Sequence, residues 1–587
     1  MAALALILEY IKLFYVLFKH WFRDLFNSLY VGPKFKDLSS ETVLITGAAS
    51  GLGKGVAQRL AQLGCTLVLW DVNETDNARV AEELNSMTKS NRVHPMRCDL
   101  TSRESIYECA KKVQETVGNV TMVINNAGVV SGKTLINCSD ASIQRTFDVN
   151  VLAHFWILKA FLPWMLDHNQ GHIVTIASGA GLTGAAGLVD YCSSKFAAVG
   201  LHEALTHELH ALKRTGIKTT VVCPSFIDTG MFEGVKTGVL FPLLKSENVC
   251  ELIVEAIRTD QHMLLIPKVL KLGLIIKSLS TTAAQIEAQG ATGLHHSMDT
   301  FVVKHRFYAL INLIIGGPPL KDRSSETVLI TGAVSGLGKG VAQRLAQLGC
   351  TLVLWDVNAT DNARVAEELN SMTKSNRVHA MRCDLTSRES IYECAKRAQE
   401  TVGNVTMVIN NAGVVSGKTL INCSEASIQR TFDVNILAHF WILKVFLPPM
   451  LENSHGHIVT IASAAGLSGV CGLVDYCSLK FAAVGLHQAL THELYTLKKD
   501  GIKTTVVCPT FINTGIDLTP LLKQEEVCER ILKAIRQNQN VLLLPKSLIL
   551  SVALSSIAPI AAELEAHEMI GLHSSMGSFV GRPKKST

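Results

Sequence analysis

The chain repeats itself. Residues from Ser39 onward recur from Ser324 at a constant offset of 285, and between Ser39 and Asn150 the copies differ only at positions 49, 74, 95, 112, 113 and 140. No gap is needed until after Gly230. A period this long marks a repeated domain, not a solenoid unit. One hydrophobic core supports roughly 250–300 residues, so 587 residues divide naturally into two consecutive domains. We place an N-terminal apolar segment at 1–36, a first domain at 37–300, a linker with a shortened version of the apolar segment at 301–323, and a second domain at 324–587. A recent internal duplication and the joining of two adjacent coding units would both leave this pattern.

Each copy opens with an apolar, β-branched run, Thr42-Val-Leu-Ile, followed by Thr46-Gly47-Ala-Ala-Ser50-Gly51-Leu52-Gly53 and a helical pattern from Val56 to Gly64. Strand, Gly-rich turn and helix in succession let backbone approach a pyrophosphate at a helix N-terminus. A second strand, Thr66-Leu-Val-Leu-Trp, ends at Asp71, about twenty residues downstream, where a carboxylate accepts both ribose hydroxyls and repels a 2′-phosphate. No Lys or Arg directly precedes Gly51 or follows Asp71 to offset that repulsion. NAD is therefore favoured over NADP. Further alternation follows: a strand over 92–97 ending at Cys98-Asp99-Leu100, a helix from Glu104 to about Val117, a strand over 121–124, and the loop Asn125-Asn126-Ala127-Gly128. Such alternation implies an α/β fold with a doubly wound parallel sheet, which binds ligands at the carboxyl ends of its strands.

Downstream, Ser178 closes the strand-like run His172-Ile-Val-Thr-Ile-Ala, a Gly-rich loop follows, and Tyr191 and Lys195 stand four apart. On a helix that spacing puts phenol and ammonium on one face, and the loop lets the Ser178 hydroxyl fold back to meet them. A free tyrosine titrates near pH 10, so its anion must be favoured before it accepts a proton from an alcohol; Lys195 offers the positive charge. The same set recurs as Ser463, Tyr476 and Lys480. No catalytic side chain is lost in either copy, which argues against a purely non-catalytic scaffold at a lipid surface.

Composition bounds the partners. Hydrophobic residues reach 48% while charged residues are 18%, so membrane contact enters the reading. The net charge of +5 is mild, and no long basic run lies among aromatics, which argues against nucleic-acid binding. Fifteen scattered cysteines without a CxxC pair fit a reducing compartment, with neither a disulfide framework nor a metal site. Ala2 to Phe18 is nearly all apolar, interrupted by Glu9 and Lys12 and followed by Lys19, His20 and Arg23. It lacks the flanks and cleavage site of a signal peptide. Seventeen residues is at the short end for a span, and the charged positions fall near one helical stripe. A spanning helix, an in-plane or hairpin anchor, and a helix packed on the protein's own surface all stay open. Basic residues on its C-terminal side would keep the domains cytosolic.

The glycine turn, Asp71, Asn-Asn-Ala-Gly and Tyr-x-x-x-Lys, in this order and in both copies, resemble the short-chain dehydrogenases/reductases. The resemblance implies Rossmann-like domains and an NAD-dependent oxidoreductase interconverting alcohol and carbonyl. It makes Tyr191 the acid/base, Lys195 the residue that lowers its pKa and holds the nicotinamide ribose, Ser178 the donor to the substrate oxygen, and Asn150 the holder of a water in the proton path. Asn435, Ser463, Tyr476 and Lys480 match in the second copy. The cofactor would lie against Gly47, Ser50, Gly51, Leu52, Gly53, Asp71, Asp99, Leu100, Asn126, Ala127, Gly128, Tyr191, Lys195, Pro224 and Thr229. In copy two the equivalents are Gly332, Ser335, Gly336, Leu337, Gly338, Asp356, Asp384, Leu385, Asn411, Ala412, Gly413, Tyr476, Lys480, Pro509 and Thr514. Ser225 and Thr510 stand where the family usually has glycine.

The apolar N-terminus, the Leu-Trp-Asp-Val-Asn strand end and the tail from Gly293 are similar to the membrane- or lipid-droplet-associated branch that contains epidermal retinol dehydrogenases and 17-beta-hydroxysteroid dehydrogenases. That implies a lipophilic alcohol, retinol foremost and a 17-beta-hydroxysteroid or other lipid alcohol as the alternative, at the endoplasmic reticulum membrane or a lipid droplet. The residues do not discriminate retinoid from steroid. After Thr229 copy two is seven residues shorter, up to the shared Leu-Leu-Lys; this segment resembles the family's substrate lid, so the copies differ in preference or have drifted neutrally. Family members commonly pair through the helices flanking the site, so the copies would pair within the chain or between chains.

Overall fold

A computed structural model describes residues 34–230, 243–271, 319–510, 522–545 and 559–569, together with 15–16, 18–23 and the single residues 26, 30, 32 and 548. Most of the N-terminal apolar run, the linker from 301 to 318, both divergent segments after Thr229 and Thr514, and the tail from Gly293 lie outside the described residues.

In the first half the chain runs β1 (Thr42–Thr46), α1 (Gly51–Gln62), β2 (Thr66–Asp71), α2 (Glu74–Thr88), β3 (Val93–Arg97), α3 (Arg103–Thr116), β4 (Met122–Asn125), α4 (Asp140–Phe147), α5 (Ala153–His168), β5 (Gly171–Ile176), α6 (Val189–Ala211), β6 (Ile217–Pro224), α7 (Ser246–Arg258) and β7 (Met263–Ile266). The second half repeats it: β8 (Thr327–Thr331), α8 (Gly336–Gln347), β9 (Thr351–Asp356), α9 (Ala359–Thr373), β10 (Val378–Arg382), α10 (Arg388–Val402), β11 (Met407–Asn410), α11 (Glu425–Phe432), α12 (Ala438–Asn453), β12 (Gly456–Ile461), α13 (Val474–Thr496), β13 (Ile502–Pro509), α14 (Gln524–Arg536) and β14 (Val541–Leu544), with a further α15 (Ile560–Met569). The strands read as continuous apolar runs because helices cover both faces of each sheet. Helix starts follow local chemistry: Asn73, Ser102 and Ser139 each accept a backbone N–H three residues on.

Both sheets have seven parallel strands, in the order β3-β2-β1-β4-β5-β6-β7 and β10-β9-β8-β11-β12-β13-β14. Strand order reverses between β1 and β4, and between β8 and β11. The crevice beyond the carboxyl ends at that reversal is where such sheets hold ligands. This is the doubly wound, Rossmann-like architecture expected, present twice.

The two halves pack against each other through α6 and α13. Their helices approach closely because glycine leaves room: a Cβ on Gly200 would stand 2.6 Å from the Phe481 ring, and one on Gly485 2.6 Å from the Phe196 ring. Aromatic edges meet reciprocally, Phe147 with Phe440 at 5.4 Å and Phe155 with Phe432 at 5.5 Å. Ser193 donates to the Ala482 carbonyl at 2.8 Å and Ser478 to that of Ala197 at 2.9 Å. Lys159 and Lys444 each donate to two carbonyls of the other half. One hydrophobic core runs continuously through both halves, whereas the opposite face of each sheet has its own core.

Two apolar stretches, Asp140–His168 and Glu425–Asn453, are long and apolar enough to cross a membrane, but most of each is buried inside the protein. They are core helices of this packing. Helix α15 lies against the first half: Glu563 comes within 3.8 Å of His207, and Glu565 accepts from Lys19 and pairs with His20 at 2.6 Å.

Candidate active site

The glycine-rich turn between β1 and α1 is built for backbone approach. Gly47 and Gly51 have φ of +63° and +52°, a region open chiefly to glycine. At Gly53 a Cβ would stand 2.1 Å from the Gly47 carbonyl oxygen, so no other residue fits without moving the backbone. Gly332, Gly336 and Gly338 repeat the arrangement, with 2.2 Å at the last. The turn is fixed from outside: Asn126 donates through Nδ2 to the Thr46 and Gly47 carbonyls at 2.8 and 3.1 Å, while Thr46 Oγ1 accepts the N–H groups of Asn126 and Ala127. Asn411 and Ala412 do the same with Thr331 and Gly332.

Asp71, at the end of β2, accepts the Ala49 N–H of this turn at 3.0 Å and the Asn73 N–H at 3.0 Å; Asp356 does so with Val334 and Asn358. The carboxylate thus borders the glycine turn where the sequence pattern puts it. Asp99 is held by Thr101, whose N–H and hydroxyl both donate to it and keep its carboxyl below the usual range, and Asp384 by Thr386 likewise. The Thr229 side chain stands 3.6 Å from where a Gly51 Cβ would lie, so the segment after β6 reaches the glycine turn. The cradle fits a dinucleotide: main-chain N–H groups, no Cβ in the way, and a carboxylate at the ribose position.

Ser178, Tyr191 and Lys195 converge beside it. Ser178 follows β5, and its Oγ bonds Tyr191 and accepts the Ala180 N–H at 3.1 Å. Tyr191 and Lys195 share one face of α6, and the Lys195 Nζ stands 5.8 Å from the Tyr191 ring centroid while donating to the Ile176 carbonyl at 2.9 Å. In the second half Lys480 stands 5.5 Å from the Tyr476 ring and donates to Ile461 at 2.9 Å. Asn150, in a π-helical turn at Asp148–Leu152, accepts the Val129 N–H at 2.8 Å and donates to the Val129 carbonyl and to Ser194 Oγ; Asn435 holds Val414 in the same way. A Cβ on Gly128 would lie 3.4 Å from Lys195 Nζ and 3.5 Å from Asn150 Oδ1, so that glycine sits between the two side chains.

Burial dominates the electrostatics. It raises both phenols, Tyr476 to about 12, against the opposing hydrogen bond from the serine. It lowers both ammonium groups to about 8. Serine meets phenol as the sequence implies, but the site's own influences leave the tyrosine neutral at pH 7, and a further positive charge is needed to favour its anion.

Gly47, Gly51, Gly53, Asp71, Asn126, Gly128, Asn150, Ser178, Tyr191, Lys195 and Thr229 come together around this crevice, whereas Leu52 and Leu100, with Leu337 and Leu385 in the second half, pack on the hydrophobic cores; Thr514 lies outside the described residues. Sequence reasoning passed over several supports. Asp190, next to Tyr191, accepts from Ser131 at 2.8 Å and Thr146 at 3.1 Å, pinning the loop after β4. Glu208 and Glu493 reach into the opposite half. Nothing in spacing alone marks these three as more than ordinary helix acids.

A short chain dehydrogenase family model matches residues 41–239 and 326–523. Epidermal retinol dehydrogenase 2 of Homo sapiens is 45% identical over 272 residues, covering 46% of this chain and 87% of that protein. Estradiol 17-beta-dehydrogenase 11 of Mus musculus is 45% identical over 251 residues, 43% of this chain and 83% of that protein. The crystal structure of the N-domain of a bacterial malonyl-CoA reductase with NADP shares the fold across 87% of this chain and 98% of its own, with a TM-score of 0.62 at 13% identity.

Proposed function

Because the chain belongs to the short chain dehydrogenase family in both halves, and so is an oxidoreductase acting on CH–OH groups with NAD or NADP as acceptor, we propose that it oxidises all-trans-retinol to retinal with NAD at two sites. The observation that carries this reading is the buried Ser178–Tyr191–Lys195 group beside the glycine cradle, present again as Ser463–Tyr476–Lys480. The 45% identity to an epidermal retinol dehydrogenase supports the substrate.

Bound NAD would supply the hydride acceptor and, in its oxidised form, a positively charged nicotinamide ring beside the phenol. Gly47, Gly51 and Gly53 would hold its pyrophosphate, Asp71 its adenosine ribose, and Lys195 its second ribose. Tyr191 takes the proton of the substrate hydroxyl, and Ser178 holds the oxygen as it becomes a carbonyl. Lys195 and the oxidised nicotinamide ring together would favour the phenolate against burial, and Asn150 keeps the loop after Gly128 in place beside it. Tyr476, Ser463, Lys480 and Asn435 do the same in the second half. On this reading 1–36 is the anchor, 37–300 and 324–587 are the catalytic domains and 301–323 is the linker.

Membrane association draws support from the N-terminal segment, where Tyr15, Phe18, Trp21, Phe22, Phe26 and Tyr30 are all exposed, Tyr30 at 75%. Large aromatics facing outward fit the headgroup region of a lipid surface, while Val16 and His20 of the same segment are buried against the protein. The domains would face the cytosol at the endoplasmic reticulum or a lipid droplet. Contact between α6 and α13 supports a pair formed within one chain.

The equal identity to an estradiol dehydrogenase favours a 17-beta-hydroxysteroid as the second reading. NADH formation by the detergent-solubilised protein with all-trans-retinol, estradiol and a long-chain alcohol tests both. Retinol is expected to give the highest kcat/KM, with Tyr191→Phe and Tyr476→Phe each retaining about half the turnover and the double variant almost none. A preference for estradiol moves the substrate; full turnover in the double variant overturns the site.

A further inference from the structure

Each half holds the other half's active-site loops through one buried carboxylate. Glu493, near the end of α13, accepts the Leu135 N–H at 2.9 Å through Oε1 and the Gly187 N–H at 3.1 Å through Oε2. Glu208, near the end of α6, accepts the Leu420 N–H at 2.9 Å and the Gly472 N–H at 3.3 Å. Both carboxylates are buried, at 3% and 2% exposure. Their four donors are not scattered. Gly187 and Gly472 belong to the segments that lead from Ser178 to Tyr191 and from Ser463 to Tyr476. Leu135 and Leu420 belong to the segments that follow Asn126-Ala-Gly and Asn411-Ala-Gly. One carboxylate therefore ties together the two loops that border a site, and it belongs to the half that does not contain that site.

The loops have little other freedom. A Cβ on Gly184 would stand 2.4 Å from the Ala489 backbone nitrogen, and one on Gly469 2.6 Å from that of Ala204, so each loop already presses on the opposite helix. Gly187 and Gly472 both sit at φ of +72°, a turn conformation that glycine adopts without strain and that leaves the N–H free to meet the carboxylate. Burial raises both carboxyls, Glu208 to about 7, and the two backbone N–H bonds that each accepts act against that rise; in the ionised form those bonds are charge-assisted and stronger than neutral ones.

We propose that Glu493 is a positioning residue for the Ser178–Tyr191–Lys195 site and Glu208 for the Ser463–Tyr476–Lys480 site, so that each active site is completed by the opposite half of the chain. This rests on the assignment of those groups as the catalytic ones. It also explains what the tandem achieves: each site needs a neighbouring copy, and the chain carries that copy with it. A half expressed alone would lack a residue that its own site requires.

The test uses the full chain with one site silenced. In the Tyr476→Phe background only the first site turns over, and Glu493→Gln is expected to lower its kcat about tenfold, the scale of losing a hydrogen bond to a charged acceptor. KM for NAD should stay within about twofold, since the carboxylate touches the loops and not the glycine cradle. In the Tyr191→Phe background the same Glu493→Gln should leave second-site turnover within about twofold, although the substitution lies in the second half. Glu208→Gln should show the mirror pattern. NADH titration should still find two equivalents per chain, which separates misplaced loops from a collapsed half. Loss confined to the half that carries the substitution, equal loss in both, no loss, or a missing NADH equivalent would each overturn the inference. Retained turnover in Tyr191→Phe/Tyr476→Phe would instead overturn the catalytic assignment beneath it.

Discussion

Replacing Lys195 by methionine should make the protein more stable while removing first-site turnover. The ammonium is buried, and burial lowers it from 10.5 to about 8. At about 1.4 kcal/mol for each pH unit of displacement, holding that charge in the pocket costs about 3 kcal/mol at neutral pH. Methionine keeps the unbranched apolar stem and drops the charge; losing the hydrogen bond to the Ile176 carbonyl takes back about 1 kcal/mol. The expected net gain is about 2 kcal/mol at pH 7. Its pH dependence is the sharper signature. Below pH 8 lysine is protonated folded and unfolded, so the whole penalty is present; between about 8 and 10.5 the unfolded chain binds the extra proton, and wild-type stability rises with pH. Above that range both states are neutral and the penalty is gone. Urea denaturation of wild type and Lys195→Met at pH 7, 9 and 10.5 should therefore show an advantage that is largest at pH 7 and has vanished by 10.5. An advantage that does not change with pH, or a loss of stability at pH 7, would refute the reasoning.

Gly53→Ala should cut NADH binding from two equivalents per chain to one, because its Cβ would meet the Gly47 carbonyl at 2.1 Å and the first turn of α1 must shift; overpacking of this kind costs about 1–3 kcal/mol. Isothermal titration calorimetry reads the stoichiometry, and two unchanged sites would contradict the cradle. Asp71→Ser with Asp356→Ser removes the carboxylates that oppose a 2′-phosphate and should raise the NADP-to-NAD ratio of kcat/KM by about tenfold or more, measured by initial rates with each cofactor; an unchanged ratio would show that specificity lies elsewhere.

Most of the fold was legible because the signals are local. A strand, a glycine turn and a helix identify β1, Gly47 to Gly53 and α1 without any long-range information, and alternation carries the rest of the sheet. The proton-transfer group was legible for the same reason: a four-residue spacing survives on any helix, and α6 keeps Tyr191 and Lys195 together. What the sequence could not supply was the balance of influences at the phenol. Lys195 was expected to favour the anion, and burial, a property of the packed fold, acts on Tyr191 in the opposite direction and is the largest influence on it. Glu208 and Glu493 were illegible because their partners lie 212 and 358 residues away.

The interface between the halves obeys the logic of an isologous contact, in which each pair of residues recurs with the copies exchanged. Phe147 with Phe440 answers Phe155 with Phe432, and Ser193 with Ala482 answers Ser478 with Ala197. A protein built from separate identical subunits could not depart from that symmetry, because any substitution would appear on both sides. A tandem chain can, and the surface under α15 holds one such difference in sequence. This helix of the second half lies on the first, bringing Glu563 beside His207 and Glu565 beside His20. At the point of contact the first half has Glu203, whose carboxyl is raised by burial and by the neighbouring Glu563, whereas the corresponding position of the second half is Gln488. Two facing acids share a proton readily and two full charges badly, so glutamate at position 203 meets a second carboxylate where Glu563 faces it. The halves are thus nearly identical where each must support the other's site, and they differ at position 203, where Glu563 of α15 faces the first half.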